Sequence, residues 1–264
     1  MLRPGALVKP NVLASATVKG LLVATRYLTI VPVKAAAAHD EGFALGRAAA
    51  WFPVVGLALG AALALTDRLT DWLFPVLLAA LLTVTVWKLI TGGLHLDGLA
   101  DCMDGLMASD PDHRLQIMRD SRIGAFGAVG LIFFLLLEIA ALAELAPGLR
   151  WRVLLAVPAI GRATPALLSL CFPAVPGGRG AEFGASVRQT GVLVGLAVAG
   201  AIAVAALGAS GLIALVAGCL MSLALGRFFA TRLGGITGDV LGAGVEVAEL
   251  AALLTVSAWE HWGR

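Results

Sequence analysis

The stretch Val192–Leu225, VLVGLAVAGAIAVAALGASGLIALVAGCLMSLAL, contains no charged residue. Apolar runs of about 20 residues are read as helices that cross a bilayer, and the glycines at Gly208 and Gly211 divide this run into two. Outward from it, Ile123–Leu137 and Val153–Ile160 repeat the signal. Of the 264 residues, 59% are hydrophobic and 14% charged, against about 25% charged in an ordinary soluble domain. No alternating pattern suggests barrel strands, so the backbone groups must be satisfied within helices. The expected fold is all-α, a polytopic transmembrane helical bundle of about seven to eight membrane helices, with residues 1–264 forming a single integral membrane domain.

Proline, glycine and charge punctuate the chain into helices near 14–31, 43–66, 73–92, 124–146, 151–171, 191–208, 211–231 and 239–259. The first contains Lys19 and Arg26, which suits the interface or a polar cavity. Gly56 and Gly60 have the spacing that lets helix backbones approach in lipid. Arg3, Lys9, Lys19, Arg26 and Lys34 put the N-terminal segment on the cytoplasmic side, in the bacterial inner membrane, and with no convincing cleavable signal the mature protein is expected to begin at or near Met1. A net charge of +2 with no basic stripe argues against nucleic acid as a partner. Cys102, Cys171 and Cys219 are few and far apart, which fits small buried hydrophobes better than disulfides or a zinc site.

Three polar segments interrupt the apolar pattern. In Gly92–Leu106, GGLHLDGLADCMDGL, the residues Asp97, Asp101 and Asp104 fall at i, i+4 and i+7, one face of a helix. Three carboxylates side by side repel, and a hard divalent cation such as Mg²⁺ relieves the conflict while bridging to substrate phosphates. A solvated loop face is the plain alternative. His95 lies off that face and is either a general base or a hydrogen-bonded structural or substrate-contact residue. Arg114, Arg119 and Arg122 surround Asp120, either binding phosphate or anchoring the next span at the cytoplasmic surface.

In Leu233–Leu250, LGGITGDVLGAGVEVAEL, the acids Asp239, Glu246 and Glu249 share a helical face behind a glycine turn with Thr237. Arg162 is a lone cation in an apolar stretch and calls for an acid or an anionic ligand. The stretch from Pro176 to Gln189, with Arg179, Glu182 and Arg188, reads as a surface loop. Gly124, Gly127 and Gly130 form a packing pattern, and no covalent nucleophile is evident.

These motifs are recognisable together. With TRYLTIVPV (25–33), WFPVVGLALG (51–60) and IMRDSRIGAFG (117–127), the chain resembles the cobalamin synthase family, the adenosylcobinamide-GDP ribazoletransferases, over most of its length. The resemblance implies a Mg²⁺-dependent membrane enzyme that joins adenosylcobinamide-GDP to alpha-ribazole, or its 5'-phosphate, and releases GMP. It implicates Asp97, Asp101 and Asp104, then Arg119, Asp120 and Arg122, then Thr237, Asp239, Glu246 and Glu249. Cys102 and the Gly161-Arg162-Ala163 stretch depart from the family pattern, the second leaving the role of Arg162 open. Membrane lipid is an expected partner, and a homo-oligomer is compatible with the reading. Two other classes share intramembrane acids. A CDP-alcohol phosphotransferase fits poorly because Ala100 is followed by Asp101, and an ion-coupled transporter fits poorly because arginines cluster beside the acids and no repeat is visible.

Overall fold

The structure, a computed structural model, describes residues 10–33 and 44–263. The basic residues Arg3, Lys9 and Lys34 lie outside them. Eleven α-helices follow in order among the described residues: α1 (Pro10–Leu28), α2 (Phe52–Leu73), α3 (Val76–Ile90), α4 (Leu94–Gly105), α5 (Pro111–Met118), α6 (Ala125–Ala143), α7 (Pro147–Cys171), α8 (Arg179–Ser186), α9 (Gln189–Leu207), α10 (Ala209–Leu233) and α11 (Gly238–Gly263), with a 3₁₀ turn, Leu45–Trp51, leading into α2. Six are long and apolar enough to cross a membrane, or seven if α3 and α4, bent by 92° at their junction, form one broken span. This agrees with the lower end of the expected number. α1, which carries Lys19 and Arg26, is not among the six.

α7 is the central helix, packed against α2, α9 and α11. Its contact with α2 depends on absent side chains: a Cβ on Gly56 would lie 2.5 Å from the Pro158 carbonyl oxygen, and one on Gly60 2.9 Å from the Leu155 Cα. The expected role of the Gly56–Gly60 spacing is thus borne out. Pro158 and Pro165 sit inside α7, where each removes an N–H from the helix ladder. The Gly161 carbonyl that Pro165 leaves unpaired accepts instead from the Thr164 hydroxyl at 2.8 Å. Toward the start of α7 the buried Arg150 pairs with Asp67, and with Asp71 at 3.1 Å, tying α7 to the end of α2. Of the cysteines, Cys102 is buried and Cys219 half-buried, but Cys171 is exposed because it ends α7, past the packed part of the helix.

The break between α3 and α4 comes from two consecutive glycines, Gly92 (φ 63°) and Gly93 (φ 67°), in the left-handed region that other residues resist. A broken span is tolerated only where neighbours satisfy the freed backbone groups. Here the Ile90 carbonyl accepts from the Ile30 N–H at 2.8 Å, and the Lys88 carbonyl accepts from Gly93 N–H at 2.9 Å and the Thr91 hydroxyl at 3.1 Å.

Candidate active site

A cleft of about 280 Å³ opens where α4, α8 and the start of α11 meet. Of the residues singled out from sequence, His95, Asp97, Arg119, Thr237 and Asp239 line it. α4 and α11 approach at backbone contact: a Cβ on Gly98 would lie 2.7 Å from the Asp239 carbonyl oxygen and 3.0 Å from its Cα. That closeness brings two distant acidic motifs to one place. Asp101, one turn after Asp97, lies within electrostatic range of Asp97 and Asp239, and Asp239 within range of Arg119. The Thr237 hydroxyl donates to the Asp239 carboxylate at 3.2 Å and accepts from Val240 N–H at 3.3 Å, capping α11.

Asp104 has another setting. It is 8% exposed, and its two oxygens accept from Gly124 N–H at 2.7 Å and Gly127 N–H at 2.8 Å, the first turn of α6. A carboxylate at a helix N-terminus satisfies free donors and complements the dipole. The glycine spacing after Arg122 makes room for it, since a side chain at either position would strike the carboxylate.

Glu246 and Glu249 lie deeper, outside the cleft lining. The Lys88 ammonium donates to Glu246 at 2.5 Å and to Glu138 at 3.0 Å, and Arg162 pairs with Glu249. Arg162 therefore has the acidic partner its surroundings demand. The carboxylates of Glu138, Glu246 and Glu249 approach within 4.8 Å of one another, with Lys88 and Arg162 supplying positive charge. Lys88 and Glu138 escape the motif reading because each is a lone charge in an otherwise apolar helix, and that isolation is the signal that could have marked them.

The arginine cluster divides as well. Arg114 is buried and donates to the carbonyls of Gly105 (2.8 Å) and Ala108 (2.5 Å), closing the end of α4. Arg119 lines the cleft. Arg122 forks onto Asp120, with the Nη2–Oδ2 contact at 2.6 Å, in the connection to α6, and these hydrogen bonds hold the Asp120 carboxyl down to about 2. The Pro176–Gln189 stretch is not merely a surface loop. It folds into α8, and Gly177–Ala181 with Phe183 walls the cleft and brings Arg179 to it. A short parallel bridge holds this wall, with Val175 N–H donating to the Ile236 carbonyl at 3.0 Å and Ile236 N–H to the Pro173 carbonyl at 2.8 Å.

Comparison with known proteins gives the family. A family model described as cobalamin-5-phosphate synthase matches residues 20–257. The chain belongs to the cobalamin-5-phosphate synthase family. Similar relatives of this family include the adenosylcobinamide-GDP ribazoletransferases of Herpetosiphon aurantiacus (40% identical, covering 91% of this chain and 97% of the relative) and Bradyrhizobium diazoefficiens (38%, covering 97% and 98%). That of Escherichia coli is 41% identical over 78% of this chain and 85% of its own length. No solved structure matches the chain.

The donor set can be tested against the divalent ion that the family resemblance implies. Among the described residues, no hydrogen bond or ion pair engages the Asp97 or Asp101 carboxylate, and Asp239 is held by the Thr237 hydroxyl and its own backbone N–H, with no ion pair. Asp104, Glu246 and Glu249 are each engaged by N–H groups or cations. Carboxylates without an ion-pair partner suit a hard divalent ion, but among the described residues only Glu138, Glu246 and Glu249 bring three ligand oxygens within 4.8 Å of one another, and Asp97, Asp101 and Asp239 stand further apart.

Proposed function

We propose that the chain transfers the adenosylcobinamide phosphate group from adenosylcobinamide-GDP to alpha-ribazole or its 5'-phosphate, releasing GMP. The observation that carries this reading is the meeting of Asp97 and Asp239 with Arg119 and Arg179 in the lining of one cleft, with Asp101 within electrostatic range of both aspartates. Carboxylates that hold a divalent ion next to arginines that hold phosphate suit pyrophosphate cleavage.

In the proposed reaction a ribose hydroxyl of the acceptor forms a bond to the phosphorus that carries cobinamide. The bond from that phosphorus to the bridging oxygen breaks, and GMP leaves with the bond's electron pair. Asp97, Asp101 and Asp239 would hold Mg²⁺, which would supply charge neutralisation on the pyrophosphate. Arg119 and Arg179 bind the outer phosphate oxygens, and Thr237 orients Asp239. His95 lines the cleft, and we assign it the hydroxyl proton. Asp104 is less suited to that task, since both its oxygens hold the start of α6.

We further place the cleft at the cytoplasmic face of the inner membrane. Arg114, Arg119, Arg122, Arg179, Arg188 and Arg232 lie in or beside connections at the cleft end, against Arg68, Arg152 and the buried Arg150 at the other. The test is purified protein in detergent with adenosylcobinamide-GDP, alpha-ribazole and Mg²⁺, following GMP and the corrinoid product. Product should form only with a divalent ion, and Asp97→Asn, Asp101→Asn and Asp239→Asn should each lose on the order of 100-fold in turnover. No product with any divalent ion sinks the reading.

A further inference from the structure

One wall of the cleft is chemically unlike the rest. Tyr27, the chain's single tyrosine, stacks on Phe52 with ring centroids 6.1 Å apart and planes at 20°. Phe52 stacks in turn on Phe183, at 5.8 Å and 19°. The three rings come from α1, α2 and α8, and all three line the cleft that holds Asp97 and Asp239. Phe52 and Phe183 are 0% and 4% exposed, whereas Tyr27 is 37% exposed. A row used only for packing would close over its last member. This one ends in a ring with an open surface at a polar cleft, within electrostatic range of Arg179 and Asp239.

Such a row suits a planar heteroaromatic ring that belongs to a phosphate-bearing or sugar-bearing ligand. Both substrates of the proposed transfer carry one, guanine in the donor and benzimidazole in the acceptor. Guanine presents a polar edge that proteins read with paired donors and acceptors; the two carboxylates that line the cleft, Asp97 and Asp239, are the ones assigned to the metal in the transferase reading, and no Asn, Gln or Glu side chain is there to read the edge instead. Around the aromatic row stand Leu94, Pro165, Val175 and Leu241, which match an apolar base. Size agrees: about 280 Å³ is near the lower end of small-molecule sites, roughly 300–1,000 Å³, enough for one nucleoside and far too little for a corrin macrocycle.

We propose that the Tyr27–Phe52–Phe183 row is the platform for the benzimidazole of the ribazole acceptor, with Tyr27 as the face on which the base stacks. The proposal rests on the transferase reading for its choice of base. It divides the substrates, with the acceptor seated inside the cleft and the corrinoid held outside it, the two meeting at the pyrophosphate near Asp97 and Asp239.

The test is equilibrium dialysis of alpha-ribazole against purified Tyr27→Ala, Tyr27→Phe and Tyr27→Trp proteins, followed by steady-state kinetics for both substrates. Tyr27→Ala should raise the Kd and KM for alpha-ribazole about 10- to 100-fold and change the KM for adenosylcobinamide-GDP by less than about threefold. Tyr27→Phe and Tyr27→Trp should bind like wild type, because the ring and not the hydroxyl makes the contact. Ribose 5-phosphate, which lacks a base, should inhibit wild type and Tyr27→Ala equally. A rise confined to the donor's KM assigns the row to guanine and overturns the proposal. So does unchanged ribazole binding in a folded Tyr27→Ala protein, or a loss in Tyr27→Phe as large as in Tyr27→Ala. If wild type forms no product yet binds alpha-ribazole with this dependence on Tyr27, the transfer reading fails while the platform stands.

Discussion

Replacing Lys88 with methionine keeps the apolar stem and removes the ammonium from the centre of the bundle. Two carboxylates depend on that ammonium, Glu138 at 3.0 Å and Glu246 at 2.5 Å, and their side chains are 1% and 2% exposed. Removing one partner of a buried pair costs about 3–5 kcal/mol, because the remaining charge is left without water or a counter-ion. At a few degrees per kcal/mol, the Tm should fall by on the order of 10 °C, read by intrinsic tryptophan fluorescence in detergent. Protonation of one glutamate softens the effect, so the decisive comparison is Lys88→Met/Glu138→Gln/Glu246→Gln, in which no carboxylate is stranded. The triple variant should recover most of the lost Tm. Lys88 stands just before the Gly92–Gly93 break, so the single variant should also need more Mg²⁺ for half-maximal turnover. A Lys88→Met protein that melts within about 2 °C of wild type, or a triple variant no better than the single, refutes the assignment of this network.

Other consequences are equally specific. Gly98→Ala sets a methyl 2.7 Å from the Asp239 carbonyl oxygen and pushes α4 from α11, so turnover should fall roughly 10- to 100-fold with little change in acceptor binding; kinetics like wild type would show that the two acid motifs need no such approach. Asp104→Asn can accept only one of the two α6 N–H groups and should lose about 1–3 kcal/mol of stability, seen in melting, while retaining more activity than Asp101→Asn; an inactive but fully stable protein would make Asp104 a ligand instead. Arg119→Ala should raise the KM for adenosylcobinamide-GDP about 10-fold or more, and Arg122→Ala should leave it near wild type. Because Arg122 holds the Asp120 carboxyl down to about 2, whatever that pair contributes is complete above the ordinary carboxylate range and fades only as pH falls toward 2. Asp120→Ala should therefore match the wild-type pH–rate profile between about pH 5 and 9.

The spans were legible because apolar length and glycine or proline breaks are local properties. All eight expected helices are present, most with ends shifted by a few residues. Helical spacing put Asp97 and Asp101 on one face of α4 and Asp239 on one face of α11, but it reports the angle of a residue around an axis and not its depth along one. Glu246 and Glu249 share a face with Asp239, yet at 1.5 Å per residue they sit about 10 and 15 Å further along α11, where Lys88 and Arg162 meet them. Asp104 likewise lies beyond Asp97 and Asp101, at the point where α4 reaches α6. α8 was opaque for another reason. Its glycine-rich lead carries no periodic pattern, and its place in the cleft depends on a bridge between Ala174 and Ile236, far apart in sequence.

That bridge also sets how charge is stored. Arg179 and Asp239 each follow one of its two bridged residues by only a few positions, both line the cleft, and no ion pair joins them. Two main-chain hydrogen bonds, indifferent to side-chain identity, tie the two segments together and fix the spacing of the residues that follow them. Left to collapse, the guanidinium and the carboxylate would neutralise each other and leave nothing to attract either phosphate or cation. The clasp is thus an electrical spacer: it preserves two unspent charges of opposite sign at the site where a ligand of both signs, a metal-bound pyrophosphate, would discharge them together.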